Sequence, residues 1–129
     1  MSADIRHFQP PEGPLRKLPF SEAVQLGDLI FLSGQLGFKP DALELVEGGI
    51  EAESRQTMEN MKAALERVGS DLDHVLKCTV FLADIAEWPK FNEVYISFFP
   101  GRKPARSALA ASGLALQARV EVECIAAPR

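Results

Sequence analysis

The chain has 129 residues, of which 47% are hydrophobic and 25% charged, and its formal net charge is −4 at pH 7. This length suits one domain with a real core, so we expect a single domain over residues 1–129 that begins with an irregular segment at 1–18. The negative charge argues against a general affinity for nucleic-acid backbones. No apolar run reaches the roughly 18 residues of a membrane span, and no signal-peptide core is visible. We therefore expect a cytoplasmic protein.

The first predicted element is a β-hairpin. In "EAVQLGDLIFLSGQLG" two apolar runs flank Gly27 and Asp28, a favoured two-residue turn. Gly34 interrupts the second strand, and a glycine inside a strand often marks a bulge or the close approach of another group. We therefore expect one of these two features at Gly34.

A first helix follows the hairpin. Its apolar residues recur at helical spacing and end at a glycine, which is a typical helix stop: Met58, Met61, Leu65, Val68 and Gly69. Glu51 and Glu53 near its start suit the helix dipole. The next run, "HVLKCTVFLAD", predicts a largely buried strand.

A second helix is indicated by one aromatic face. The residues at i, i+3, i+7 and i+10 are Trp88, Phe91, Tyr95 and Phe98. Asp84 and Glu87 resemble an N-terminal capping pair, and Pro89 suits the first turn.

Two final strands complete the order ββ-α-β-α-ββ, which predicts an α+β fold. In "KPARSALAAS" the alternation places Arg106, Ala108 and Ala110 on one face, and "ARVEVECIAA" alternates valines against Glu121 and Glu123. Right-handed crossovers put both helices on one face of a mixed sheet. The other, uncovered face predicts symmetric self-association.

Arg106 is the sharpest candidate for a binding residue. A guanidinium offers a fork of donors matched to a carboxylate, and the alanines beside it leave space for a small acid. The alternative is a structural ion pair with Glu121 or Glu123. Either glutamate could orient or deprotonate a water, or both could simply face solvent, and spacing alone does not choose between them. Asn92 could bind a ligand or face solvent.

Cysteine and histidine placement predicts no metal and no disulfide. Cys78 and Cys124 lie in apolar runs without CxxC spacing, and we expect small buried thiols. His7 and His74 form no ligand cluster with them. No nucleophile–base pair or phosphate-binding glycine loop appears, and no cofactor is expected.

Five segments together resemble the RidA/YjgF family, over roughly residues 19–127. In chain order they are "PFSEAVQLGDLIFLSGQLG", "RQTMENMKAALERVGSDLDHVLKCTVFLAD", "FNEVYISFF", "PARSAL" and "ARVEVECIA". The resemblance implies a chorismate-mutase-like fold and a homotrimer with three pockets between subunits. It also implies that the final strand inserts centrally in the sheet, rather than pairing with its predecessor as a hairpin. The uncovered face would then line the trimer core.

The resemblance also implies an activity, in which short-chain 2-imino or enamine acids such as 2-aminoacrylate and 2-aminocrotonate are hydrolysed to 2-keto acids and ammonia. The chain would thus be a 2-iminobutanoate/2-iminopropanoate deaminase that removes damaging metabolites without a cofactor or metal. Arg106 would bind the substrate carboxylate, and Glu121 would orient the attacking water and relay protons. The remaining pocket residues implied by the family are Phe20, Gly34, Asn92 and Ala108.

Three positions depart from the family pattern. Phe20 stands where many deaminases of the family have tyrosine, Ala108 stands where some have cysteine, and "LALQARVEVE" lacks the frequent Leu-Pro turn. The missing hydroxyl at Phe20 favours an alternative in which the trimer binds small carboxylates without turnover. A third possibility, RNA processing, is disfavoured by the net charge and the lack of a basic aromatic surface.

Overall fold

The computed structural model describes residues 4–129, which form one mixed six-stranded sheet and two α-helices. The elements are β1 (Ile5–Phe8), β2 (Ala23–Leu26), β3 (Leu29–Gln35), α1 (Gly49–Arg67), β4 (Val75–Leu82), α2 (Trp88–Ser97), β5 (Ala105–Ala110) and β6 (Val120–Ala126). The strand order is β1-β2-β3-β6-β4-β5, with β4 and β5 parallel and the other neighbours antiparallel. The helices pack against each other on the sheet, so the predicted α+β fold is confirmed.

The N-terminal segment is more ordered than the sequence predicts. β1 pairs antiparallel with β2, and a 3-10 turn follows at Pro14–Lys17. The prediction of an irregular segment at 1–18 is therefore wrong for these stretches, while residues 1–3 lie outside the described part. A four-residue strand is too short to show a period in sequence, and it forms because the edge of β2 offers unpaired backbone groups.

The predicted hairpin and first helix are confirmed. β2 and β3 pair across the turn at Gly27, whose φ of 59° falls in the left-handed region that favours glycine. α1 ends at Arg67, and Gly69 follows with φ 89° at the predicted stop. Its buried side chains include Met58 and Met61, as expected of a core-facing stripe.

The start of the second helix differs from the prediction. The Asp84 carboxylate accepts a hydrogen bond from the Ala86 N–H at 2.9 Å, and it thereby caps a 3-10 turn at Ile85–Glu87 that precedes α2. Glu87 makes no capping bond and binds the Arg119 side chain instead. The two acids therefore do not act as a pair, because the extra turn separates Asp84 from the helix proper.

The final strand, β6, lies between β3 and β4, as the family resemblance implies. Its alternation matches the prediction, with Val120, Val122 and Cys124 buried under the helices. β4 alternates too, so it is buried on one face rather than largely buried as expected. A central strand gains two paired neighbours and a covered face, whereas a terminal β5–β6 hairpin would leave β6 and its buried valines at an edge.

The sheet face opposite the helices is open and carries several large apolar side chains. Leu29, Phe31 and Leu109 are large exposed side chains on it, and the half-buried Phe81 and Ile125 lie between them. No helix within residues 4–129 is long and apolar enough to cross a membrane. An exposed apolar sheet face of this kind is typical of a protein–protein contact surface.

Candidate active site

Arg106 lies on the helix-covered face of β5. It pairs in register with Cys78 of β4, and Ala108 pairs with Val80, which confirms that Arg106 and Ala108 share one face. Three rings of α2 surround its guanidinium carbon, at 5.9, 5.9 and 4.8 Å from the ring centroids of Trp88, Phe91 and Tyr95. The aromatic face of α2 therefore holds the guanidinium in place.

The charge of Arg106 is stabilised without a carboxylate. Within residues 4–129 no acidic side chain lies within 4.0 Å of it, so the alternative of an ion pair with Glu121 or Glu123 is wrong. The negative faces of aromatic rings attract a cation. Contacts with ring faces leave the N–H groups of the guanidinium without an acceptor, so these donors are available to an external anion.

Two polar atoms of α2 are buried without a protein partner. The Asn92 Oδ1 and the Tyr95 hydroxyl form no hydrogen bond within the described residues. Burial, followed by the nearby Cys78 thiol, raises the pKa of Tyr95 well above its usual value, so the phenol stays neutral. An unsatisfied buried acceptor such as Asn92 Oδ1 favours a ligand donor.

Glu121 lies on the opposite, open face of the sheet. It pairs with Phe81 of β4, one position out of phase with the residues that face the helices. Its carboxylate rests on Gly34, where an added Cβ would lie 1.9 Å from the Glu121 Oε2. The pairing of β3 with β6 also shifts between Leu32 and Gln35. The irregularity expected at Gly34 is thus confirmed, and the approaching group is Glu121.

The surroundings separate the two glutamates that spacing alone does not distinguish. Glu121 is half-buried, whereas Glu123 is exposed. Burial, and to a lesser degree the Glu123 carboxylate, raises the pKa of Glu121 above its ordinary value. A carboxylate with a raised pKa is a better proton acceptor, so Glu121 is the stronger candidate for a base.

Phe20 lies in the loop before β2 and is close to Gly34. It is 50% exposed and lines, with Gly34, a cavity of about 60 Å³. A neighbouring cleft of about 360 Å³ lies between the N-terminal turn and α1, and it contains none of the six predicted site residues. Gly34 therefore contacts the Glu121 carboxylate and also lines the cavity that Phe20 borders.

One chain does not bring the predicted site together. Arg106 and Ala108 lie on the helix-covered face at the β5 edge, whereas Gly34 and Glu121 lie across the sheet at the β3–β6 boundary. Sequence reasoning did not assign a role to the rings around Arg106, although their spacing on α2 was visible. Within one chain, Arg106 and Glu121 therefore lie on opposite faces of the sheet.

Known proteins resemble the chain along nearly its whole length. The family described as Endoribonuclease L-PSP matches residues 13–128. A mouse protein named 2-iminobutanoate/2-iminopropanoate deaminase is 41% identical over 127 residues, which cover 98% of this chain and 94% of that protein.

Solved structures agree with this resemblance. The yeast protein YEO7 superposes with a TM-score of 0.91 at 40% identity, covering 98% of this chain and all of that one. RidA from an Antarctic Psychrobacter superposes with a TM-score of 0.87 at 35% identity, covering 95% and 98% of the two chains. With this similarity in both fold and sequence along nearly its whole length, the chain belongs to the RidA/YjgF family.

Proposed function

We propose that the protein hydrolyses short-chain 2-imino and enamine acids to 2-keto acids and ammonia. Mouse and human relatives at 41% and 39% identity are named 2-iminobutanoate/2-iminopropanoate deaminase, which supports this activity. The observation that carries the proposal is the Arg106 guanidinium, held by three rings with its fork unpaired. Such a group suits the carboxylate common to all these substrates.

The reaction needs positioning and proton transfer rather than a covalent nucleophile. Arg106 holds the carboxylate, and Glu121 takes a proton from water as the oxygen adds to the imine carbon. Glu121 passes that proton to the nitrogen, which gives a carbinolamine. It then takes the proton of the new hydroxyl and transfers it to the amine, so the C–N bond breaks and ammonia leaves as the carbonyl forms. An enamine first tautomerises to the imine, gaining a proton at its β-carbon and losing one from its nitrogen. A placed acid/base contributes about 10²–10⁴-fold to such steps.

The other pocket residues have matching roles in this proposal. Asn92 Oδ1 accepts a hydrogen bond from the imine or the attacking water, because it is buried and unpartnered. Ala108 leaves space beside the carboxylate, and Phe20 supplies an apolar wall next to Gly34.

The active assembly in this proposal is a homotrimer with sites between subunits. Two observations support it: the open apolar sheet face, and the separation of Arg106 from Glu121 within one chain. Apposed copies would cover the apolar face and place one chain's Arg106 near another's Glu121. Two free buried thiols fit a reducing, cytoplasmic setting.

The test measures hydrolysis of imines made in situ by an amino-acid oxidase, with semicarbazide competing for the imine. Wild type should divert imine from semicarbazide, and Arg106→Ala should lose that effect while keeping its oligomeric mass. Arg102→Ala, an exposed arginine four residues earlier, is the matched control and should behave as wild type. Full activity in Arg106→Ala would refute the assigned mechanism.

A second candidate is a trimer that binds small carboxylates without turnover. The observation that favours it is Phe20, which lacks the hydroxyl found at this position in many family deaminases. Calorimetry with 2-keto acids separates the two: binding that depends on Arg106, with no turnover of any imine, supports the second candidate. The absence of binding at millimolar concentration excludes it.

A further inference from the structure

One buried carboxylate on α1 has no part in the chemistry proposed above. Glu53 is only 5% exposed, and its Oε2 accepts hydrogen bonds from the backbone N–H groups of Arg119, at 2.5 Å, and Val120, at 3.2 Å. Arg119 is the last residue before β6, and Val120 is its first. A charged acceptor shared by two backbone donors is a strong anchor, so Glu53 fixes the point at which β6 begins.

The segment that leads into β6 needs such an anchor. Leu116 and Gln117 have φ values of 57° and 59°, in the left-handed region that side chains with a Cβ seldom adopt. Strained backbone of this kind persists only where the surrounding structure holds it. On the outer side, the Arg119 side chain binds the Glu87 carboxylate at 2.5 Å. Glu53 is the inner, buried anchor of the same segment.

The Glu53 side chain is itself tightly placed. The Thr57 hydroxyl donates to the Glu53 carbonyl at 2.7 Å. At Gly37 an added Cβ would lie 2.8 Å from that carbonyl oxygen and 2.9 Å from the Glu53 Cγ. Since α1 and the chain after β3 meet this closely, the distance from Glu53 to the start of β6 has little freedom.

We propose that Glu53 is a positioning residue for Glu121, which rests on the deaminase function proposed above. Glu121 directly follows Val120, so the backbone that Glu53 holds sets where the Glu121 carboxylate lies against Gly34. Arg106 lies on β5 and is separated from this anchor by β4. Loss of the anchor therefore impairs the group that handles water and protons, and it leaves carboxylate binding intact.

The test compares Glu53→Ala, Glu53→Asp and Glu53→Gln with wild type in the oxidase–semicarbazide assay, alongside calorimetry with a 2-keto acid. Glu53→Ala removes the acceptor, and Glu53→Asp retracts it by one methylene. Both should lower kcat by about 10- to 100-fold, because misplacement by about 1 Å has effects of this size, while the Kd for the keto acid stays near the wild-type value. Glu53→Gln keeps an oxygen at the same reach and should restore kcat.

Each outcome decides something different. A wild-type kcat in folded Glu53→Ala would overturn this inference but not the proposed function. A loss of keto-acid affinity as large as the loss of kcat would also overturn it, because it would indicate a general structural role for Glu53. If Glu53→Ala does not fold, Glu53→Asp supplies the test; failure of both to fold would also overturn it. An inactive wild type would instead refute the proposed function, and this inference with it.

Discussion

Substituting Gly34 by alanine should displace the Glu121 carboxylate without disturbing the fold. The new Cβ would lie 1.9 Å from Glu121 Oε2 and 2.8 Å from Cδ, whereas ordinary contact begins at 3.4 Å. The oxygen must therefore move by about 1.5 Å. Gly34 does not have a positive φ, so alanine fits its backbone. Since a misplacement of about 1 Å can lower the rate about 100-fold, we expect kcat to fall by about that factor.

The assay is again imine hydrolysis in competition with semicarbazide, with keto-acid affinity measured separately. Affinity should be retained, because Gly34→Ala leaves the Arg106 guanidinium and the three rings that hold it unchanged. Gly113→Ala is the matched control, since its Cβ would meet nothing within 4 Å and its φ is not positive. Adding Gly34→Ala to Glu121→Ala should cause little further loss, because both changes remove the same group. Wild-type kcat in Gly34→Ala would refute the placement of Glu121 as the base.

Three further changes test the surroundings of the site. Glu123→Gln removes a charge that raises the Glu121 pKa, so the acidic limb of kcat/KM should move to lower pH; an unchanged or opposite shift would contradict the electrostatic argument. Phe20→Tyr adds a hydroxyl at a half-exposed position and should raise kcat/KM by about 2- to 10-fold, the equivalent of one hydrogen bond; an unchanged kcat/KM would show that the missing hydroxyl does not matter for turnover. Phe31→Asp places a charge on the open sheet face, so the mass measured by light scattering should fall to that of a monomer and turnover should be lost. The control Ile96→Asp, at an exposed position on α2, should change neither the mass nor the turnover.

Local patterns predicted those parts of the fold that depend on neighbours in sequence. The turn at Gly27, the stop at Gly69 and the alternation along β6 are all short-range features, and each is where the sequence placed it. The segment around β1 was missed because four residues show no period. The Asp84–Glu87 pair was misjudged because an additional 3-10 turn leaves no distinct local signal.

The residue types available for chemistry are visible in the amino-acid sequence: a strand arginine beside alanines, two glutamates on one strand face, and a glycine that interrupts a strand. How these residues meet depends on the tertiary fold. Insertion of β6 beside β3 puts Glu121 onto Gly34, 87 positions earlier in the chain, and the packing of α2 surrounds Arg106 with rings. Glu53 reads in sequence as a helix-dipole residue, yet it binds backbone 66 positions away. Such pairings depend on which surfaces are buried together, and no local pattern encodes that.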